Sequence, residues 1–277
     1  MKLKLFSYNQ LDTPIHRLSG FTKLVCFLFL TSAVMFTYDI RCILAITVMS
    51  YICMNVAKIR FSQVRLMFIY VLIFLATNFV LTFLFSPKYG VEIYGTEHDI
   101  FTIFGNYTLT QEQLFYQITK FSKYLSVIPL GMIFFLTTNP SEFASSLNGV
   151  GINYKACTSL SLTLRYFPDV SADYNAIKLA QQARGLDMSK KASVMSRLKN
   201  ISAILAPLIF TTMDRIELIS NAMDLRGFGK QKTRTWYARK PLTKADWLSM
   251  GVCLIILLAV MYVRFFVNRS FYYNPFI

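Results

Sequence analysis

The sequence predicts an all-α polytopic membrane protein, with about five transmembrane helices and a cytoplasmic domain of amphipathic helices set before the last span. Three observations predict it. The chain of 277 residues is 55% hydrophobic and only 16% charged, with a mean hydropathy of +0.44, more apolar than soluble domains of this size. Apolar runs close to membrane length recur along it, separated by short polar breaks. The formal net charge is +15, and the basic residues collect in particular segments, as they do in cytoplasmic loops.

Residues 1–20 form a basic lead-in with Lys2, Lys4 and Arg17. Asp12-Thr13-Pro14 reads as a helix start, with a capping side chain and proline in the first turn. Spans are expected at 21–38, 42–56, 66–85, 116–136 and 247–267. The first two fall short of the ~20 residues that a hydrocarbon core requires. Tyr38, Tyr51 and the stems of Lys23 and Lys58 are expected to extend them by reaching the interface. Lys120 and Lys123 fall awkwardly near the start of the fourth span. The first apolar run starts near Phe21 after polar residues and has no small-residue cleavage site after it, so no secretory signal peptide is expected.

Charge sets the predicted topology. The lead-in and the loop with Lys58, Arg60 and Arg65 go inside. Loop 86–113 holds Glu92, Glu97, Asp99 and Glu112 against Lys88, and goes outside. Segment 139–246 then falls inside, with sixteen Lys/Arg against eight Asp/Glu, a net charge of +8. The N-terminus is expected in the cytoplasm and the tail outside, where Arg264 and Arg269 are a mild exception to the rule. The domains expected are 1–138, a membrane domain of four spans; 139–246, cytoplasmic; and 247–277, the last span and tail.

Three helices are legible within 139–246. Asn139-Pro140-Ser141-Glu142 starts a short one that Gly149 and Gly151 end. A second covers about 154–183, with Leu160, Leu164, Phe167, Ala176, Leu179 and Ala180 near one face and a kink expected at Pro168. A third covers about 192–225, with apolar residues from Val194 to Met223 at spacings of three and four and a kink expected at Pro207. Both are amphipathic but too polar to span, so they should lie on the membrane or on an apolar partner. Each is predicted to stop at a glycine that accepts left-handed backbone, Gly185 and Gly227. Arg184 and Arg226 then sit in the last turns, where helix carbonyls favour a cation and a five-donor guanidinium fork can meet a carboxylate or backbone carbonyls. At ~1.5 Å per residue the third helix could hold them up to about 50 Å apart. Two like-built tips suggest two similar partners side by side.

At these residues the chain resembles the EcfT/CbiQ family, the transmembrane T components of energy-coupling factor transporters. Thr13-Pro14-Ile15-His16-Arg17-Leu18 with Thr22-Lys23 is similar to the family's opening segment, and Thr137-Thr138-Asn139-Pro140-Ser141-Glu142 to the start of its cytoplasmic domain. Leu164-Arg165-Tyr166-Phe167-Pro168 is similar to its Arg-Phe-x-Pro element. Ala180-Gln181-Gln182-Ala183-Arg184-Gly185 and Asn221-Ala222-Met223-Asp224-Leu225-Arg226-Gly227-Phe228 resemble its two Ala-Arg-Gly signatures. The likeness covers most of the chain and is weakest over 70–120. It implies a subunit between two ABC ATPases, identical or not, and a small substrate-binding membrane subunit. Together they import a micronutrient, a vitamin or metal ion, through the cell membrane. It implies that Arg184 and Arg226 each insert into a groove on one ATPase, with Ala183 and Gly185, and Leu225 and Gly227, shaping the tips. Leu225 departs from the alanine usual there.

No catalytic, metal or cofactor site is expected, and no nucleic-acid partner. Gly227-Phe228-Gly229-Lys230 lacks phosphate-loop spacing and follows no strand, so ATP hydrolysis belongs to the partner ATPases. His16 and His98 fall on opposite sides of the predicted topology, and Glu92, Glu97, Asp99 and His98 read as a solvated loop. Asp169 and Asp173 near Arg165 read as an ion-paired helix face. Cys26, Cys42, Cys53, Cys157 and Cys253 form no CxxC pair and read as small buried hydrophobes. Two alternatives fit the basic face: a membrane anchor for anionic lipid, or a membrane-bound enzyme acting on lipid-linked substrates. The second needs convergent acids, histidines or a nucleophile, which the sequence does not present.

Overall fold

The computed structural model describes residues 13–59, 61–104, 107–186, 194–231, 235–237, 240–268 and 271–276. In chain order the helices are α1 (Pro14–Arg17), α2 (Gly20–Met35), α3 (Ile40–Val56), α4 (Phe61–Phe85), α5 (Tyr89–Tyr94), α6 (Gln111–Thr137), α7 (Pro140–Gly149), α8 (Tyr154–Ala183), α9 (Val194–Leu225) and α10 (Lys244–Tyr262). A π-helical turn at Val263–Val267 ends α10. Strands β1 (Asp99–Phe104) and β2 (Tyr107–Thr110) lie between α5 and α6 and pair antiparallel. The chain divides into two compact units, 1–139 with 240–277, and 140–239.

The first unit is a bundle of apolar helices. Three segments are long and apolar enough to cross a bilayer: Arg65–Phe85, Gln111–Thr137 and Lys244–Val267. Helices α2 and α3 are apolar but have 16 and 17 residues, about 24–26 Å at ~1.5 Å per residue, against a hydrocarbon core of ~30 Å. All five expected spans are therefore apolar helices, and the protein is an all-α membrane protein. Leu30, Ala33 and Val34 of α2, Ile46 of α3, Leu130 of α6 and Val260 of α10 form a shared buried cluster.

Polar side chains set how these helices pack. Ser19 caps α2, Asp39 caps α3 and Thr110 caps α6, each accepting from a first-turn N–H. Thr243 and Asp246 form a capping box on α10, and Asp246 also accepts from the Ser19 N–H at 2.9 Å. That bond places the starts of α2 and α10 together, so the two run parallel. Helices α2 and α6 are tied head to tail by two lysines. Lys23 donates to the Thr137 carbonyl at the end of α6 (2.7 Å), and Lys123 donates to the Met35 carbonyl at the end of α2 (2.9 Å). Each ammonium meets carbonyls that a helix end leaves without intrahelical partners.

Lys23 thus departs from the expectation of an interface lysine: it is buried and turned into the bundle, with a second carbonyl, His16 O, at 3.3 Å. The misplaced-looking Lys123 has the same explanation, with the Tyr38 ring 3.8 Å from its Nζ. Lys120 donates to Asn78 Oδ1 of α4 at 2.6 Å.

The bundle therefore has two distinct ends. Ser19, Thr137 and Asp246 share one. The other holds Tyr38, whose ring lies 5.1 Å from Phe271 and 4.9 Å from Tyr272 of the C-terminal tail. Arg264 points its guanidinium at Phe271, 4.6 Å from the ring centroid. The tail continues to Asn274, which donates to the Tyr94 carbonyl of α5 at 3.0 Å.

Segment 86–113 is more ordered than the solvated loop expected of it. Beside α5 it holds the β1–β2 hairpin, and α6 starts at Gln111 rather than near 116. The Thr110 cap starts the helix there, and the fully buried Glu112 carboxylate ties its first turn to the preceding segment. It accepts from Thr96 Oγ1 (3.0 Å) and the His98 N–H (3.2 Å), and lies 2.6 Å from His98 Nδ1. The sequence carries a hairpin signal here: β-branched and aromatic runs on both sides of Gly105-Asn106.

Candidate functional site: two arginine-capped helix ends

The second unit holds both arginines singled out by the sequence. Asn153 caps α8, its side chain accepting from the Lys155 N–H. Helices α8 and α9 continue through Pro168 and Pro207, although each ring removes one i→i−4 donor. Thr211 and Thr212 side chains donate to Leu208 O just after the second proline. The two helices pack on each other, and Asp173 of α8 pairs with Arg215 of α9 at 2.7 Å. Asp173 is therefore ion-paired, but across the helix pair rather than with Arg165.

Both helices end in the same geometry. Arg184 is the C-cap of α8. The Gly185 N–H donates to Gln182 O (3.0 Å), and the Leu186 N–H to Gln181 O (3.1 Å). At α9 the Gly227 N–H donates to Asp224 O (2.9 Å), and the Phe228 N–H to Met223 O (3.0 Å), with Arg226 at the corresponding position. This is the Schellman arrangement at both ends. It requires left-handed backbone at the residue after the cap, and Gly185 and Gly227 supply φ of +89° and +66°, values that a Cβ would penalise.

The turn alone does not mark a site. Helices α3 and α7 close with the same pair of bonds, at Lys58–Ile59 and Gly151–Ile152. Their cap positions hold Ala57 and Val150. Among the described residues, only α8 and α9 put an arginine on this turn. Both arginines are exposed, as are Ala183 and Leu225, and Leu225 keeps 90% of its surface. A cation on such a last turn is favoured by the partly unsatisfied helix-end carbonyls.

The surroundings of the two tips differ. Phe228 follows the second tip and packs edge-on against Tyr154 at the start of α8, 5.7 Å between centroids. Residues 187–193 after the first tip lie outside the described residues, as do 192–193 of the expected third helix. The apolar faces of α8 and α9 are only partly covered: Phe167, Leu179, Ile209, Met213 and Ile216 are each more than half exposed.

The remaining candidates have structural partners. His16 Nδ1 lies 2.7 Å from Oγ1 of Thr13, the residue that caps α1, and His98 is held by Glu112. Among the described residues no group of three or more His, Cys, Asp or Glu could hold a metal ion. The cross-capping lysines escaped sequence reasoning because their acceptors lie 114 and 88 residues away.

The profile of the CbiQ family, described as cobalt transport protein, matches residues 12–237. The energy-coupling factor transporter transmembrane protein EcfT of Macrococcus caseolyticus is 24% identical over 281 residues, covering 95% of this chain and 98% of that one. The protein of the same name from Streptococcus thermophilus is 25% identical over 276 residues, 95% of this chain and 99% of that one. A putative ABC transporter ATP-binding protein of Bifidobacterium longum is 27% identical over 165 residues, 57% of this chain but 21% of that protein. With a family profile spanning most of its length, and relatives matched nearly end to end, the chain belongs to the EcfT/CbiQ family of energy-coupling factor transporter transmembrane components.

Proposed function

We propose that this chain is the coupling subunit of an ECF-type ABC importer, linking two cytoplasmic ATPases to a small substrate-binding membrane subunit. One observation carries the reading: two long packed helices end in the same Schellman turn, each with an exposed arginine at the cap. Arg184 and Arg226 each dock into one ATPase, with Ala183, Gly185, Leu225 and Gly227 shaping the contact. The match to part of a much longer protein named for ATP binding supports a partnership between such a segment and an ATPase. The net charge of +8 over 139–246 supports a cytoplasmic position for the tips and the N-terminus. The half-covered apolar faces of α8 and α9 receive the substrate-binding subunit, which selects a vitamin or metal ion. ATP binding and hydrolysis belong to the partners and move the tips, and the tips move those faces.

The test is the Arg184→Glu, Arg226→Glu double variant in the assembled transporter. It should insert and melt like the parent, lose the ATPases on purification, and fail in ATP-driven uptake. Unchanged uptake would overturn the reading.

A further inference from the structure

Beside the second tip lies a groove of about 660 Å³, walled by the α7–α8 turn on one side and Gly229–Gln231 on the other. Its polar lining is Asn148, Asn153, Gln231 and two cations, Lys155 and Lys230, with no carboxylate among the lining residues. The walls are fixed. Asn148 accepts from Trp236 Nε1 at 3.1 Å and donates to Ile152 O at 2.9 Å, and Phe228 packs on Tyr154. A Cβ placed on Gly229 would lie 3.6 Å from Lys155 Nζ, so that ammonium borders the backbone three residues past Arg226. Neither lysine has an ion pair among the described residues. Two like charges in one groove without a counter-charge raise the local potential for an anion.

We infer that this groove receives an acidic segment of the ATPase that takes Arg226. The inference rests on the coupling reading above and extends the second contact from one arginine to a basic surface. Continuity favours a protein carboxylate: the groove begins where the arginine tip ends, so a partner seated on Arg226 covers it. The volume is that of a ligand cleft, roughly 300–1,000 Å³, and suits a short run of side chains. Charges at such a rim act on encounter and on salt dependence.

The experiment uses the whole transporter, with its two ATPases and substrate-binding subunit, in nanodiscs of zwitterionic lipid. ATPase dissociation is followed across a salt series for the parent, Lys155→Glu/Lys230→Glu, Lys155→Gln/Lys230→Gln and Arg226→Glu. Both lysines are exposed, so the variants should keep the parent's melting temperature. Charge reversal should weaken ATPase binding about ten-fold at low salt, and the glutamine pair should weaken it less and flatten the salt dependence. If only Arg226→Glu weakens binding, the groove inference falls and the coupling reading stands. If neither charge reversal nor Arg226→Glu weakens it, both fall. If the lysine effect appears only when anionic lipid is added, the groove holds a lipid headgroup and the inference is overturned.

Discussion

The two units treat charge in opposite ways. In the helical bundle, four charged groups turn inward and are used up: Lys23 and Lys123 on helix-end carbonyls, Asp246 on two backbone N–H groups and a hydroxyl, Glu112 under His98. In the 140–239 unit, Arg184, Arg226, Lys155 and Lys230 are all exposed. A buried charge that is fully hydrogen-bonded specifies packing, because breaking its network leaves other polar groups stranded. An exposed charge adds little to the stability of its own chain. The contrast separates a scaffold from the docking surface proposed above, and substitutions should split along the same line.

The largest effect on stability is expected at Asp246. It accepts from the Thr243 N–H (2.8 Å), Thr243 Oγ1 (2.6 Å) and the Ser19 N–H (2.9 Å). Asp246→Ala breaks the α10 capping box and strands the buried Ser19 N–H at the start of α2, a loss of about 2–4 kcal/mol. A thermal melt in detergent should show it directly, with a shift far larger than any produced by the tip arginines. A shift no larger than theirs would erase the contrast between the units.

Next comes a pH effect at the far end of the bundle. Burial raises the Asp39 carboxyl, but hydrogen bonds from Arg41 and Asn268 outweigh it and hold the group below the usual carboxylate range. A carboxyl depressed in the folded state contributes stability that is present above its unfolded value of about 3.9. That contribution is lost as pH falls through the folded value. The difference in melting temperature between the parent and Asp39→Asn should therefore be full at pH 6 and shrink below about pH 4. A difference that stays constant down to low pH would remove Asp39 from the network.

How much of this was legible in the sequence follows from how far apart the partners lie. Both ends of α8 could be read, because Asn153 and Gly185 act within a turn of themselves, and the helix runs Tyr154–Ala183 as expected. The Schellman turns are equally local. Lys23 and Lys123 could not be read, because a lysine in an apolar run gives no hint which distant helix end it will cap. The β1–β2 hairpin had a local signal in Gly105-Asn106, overshadowed by the acidic residues that made the segment look like open loop. Helix spacing predicts an ion-paired Asp173, yet its partner Arg215 comes from the crossing helix, which spacing within one helix cannot supply.

The smallest stability change, and the sharpest test of the docking surface, is expected at Leu225. Its side chain keeps 90% of its surface, so Leu225→Ala removes almost nothing that the chain itself buries. The melting temperature should stay at the parent's value, as for other exposed sites away from special features. A large apolar side chain beside the second arginine gains only when something covers it. If the ATPase does so, truncation to alanine forfeits up to about 1–2 kcal/mol of apolar burial at that contact. ATPase affinity should then fall by roughly five- to thirty-fold, through faster dissociation. The matching change at the first tip, Ala183→Leu, adds bulk where alanine stands and should weaken the contact by crowding it. Equal tolerance of leucine and alanine at both positions would mean that the partner reads the arginines alone, and that the residues before them lie outside the contact.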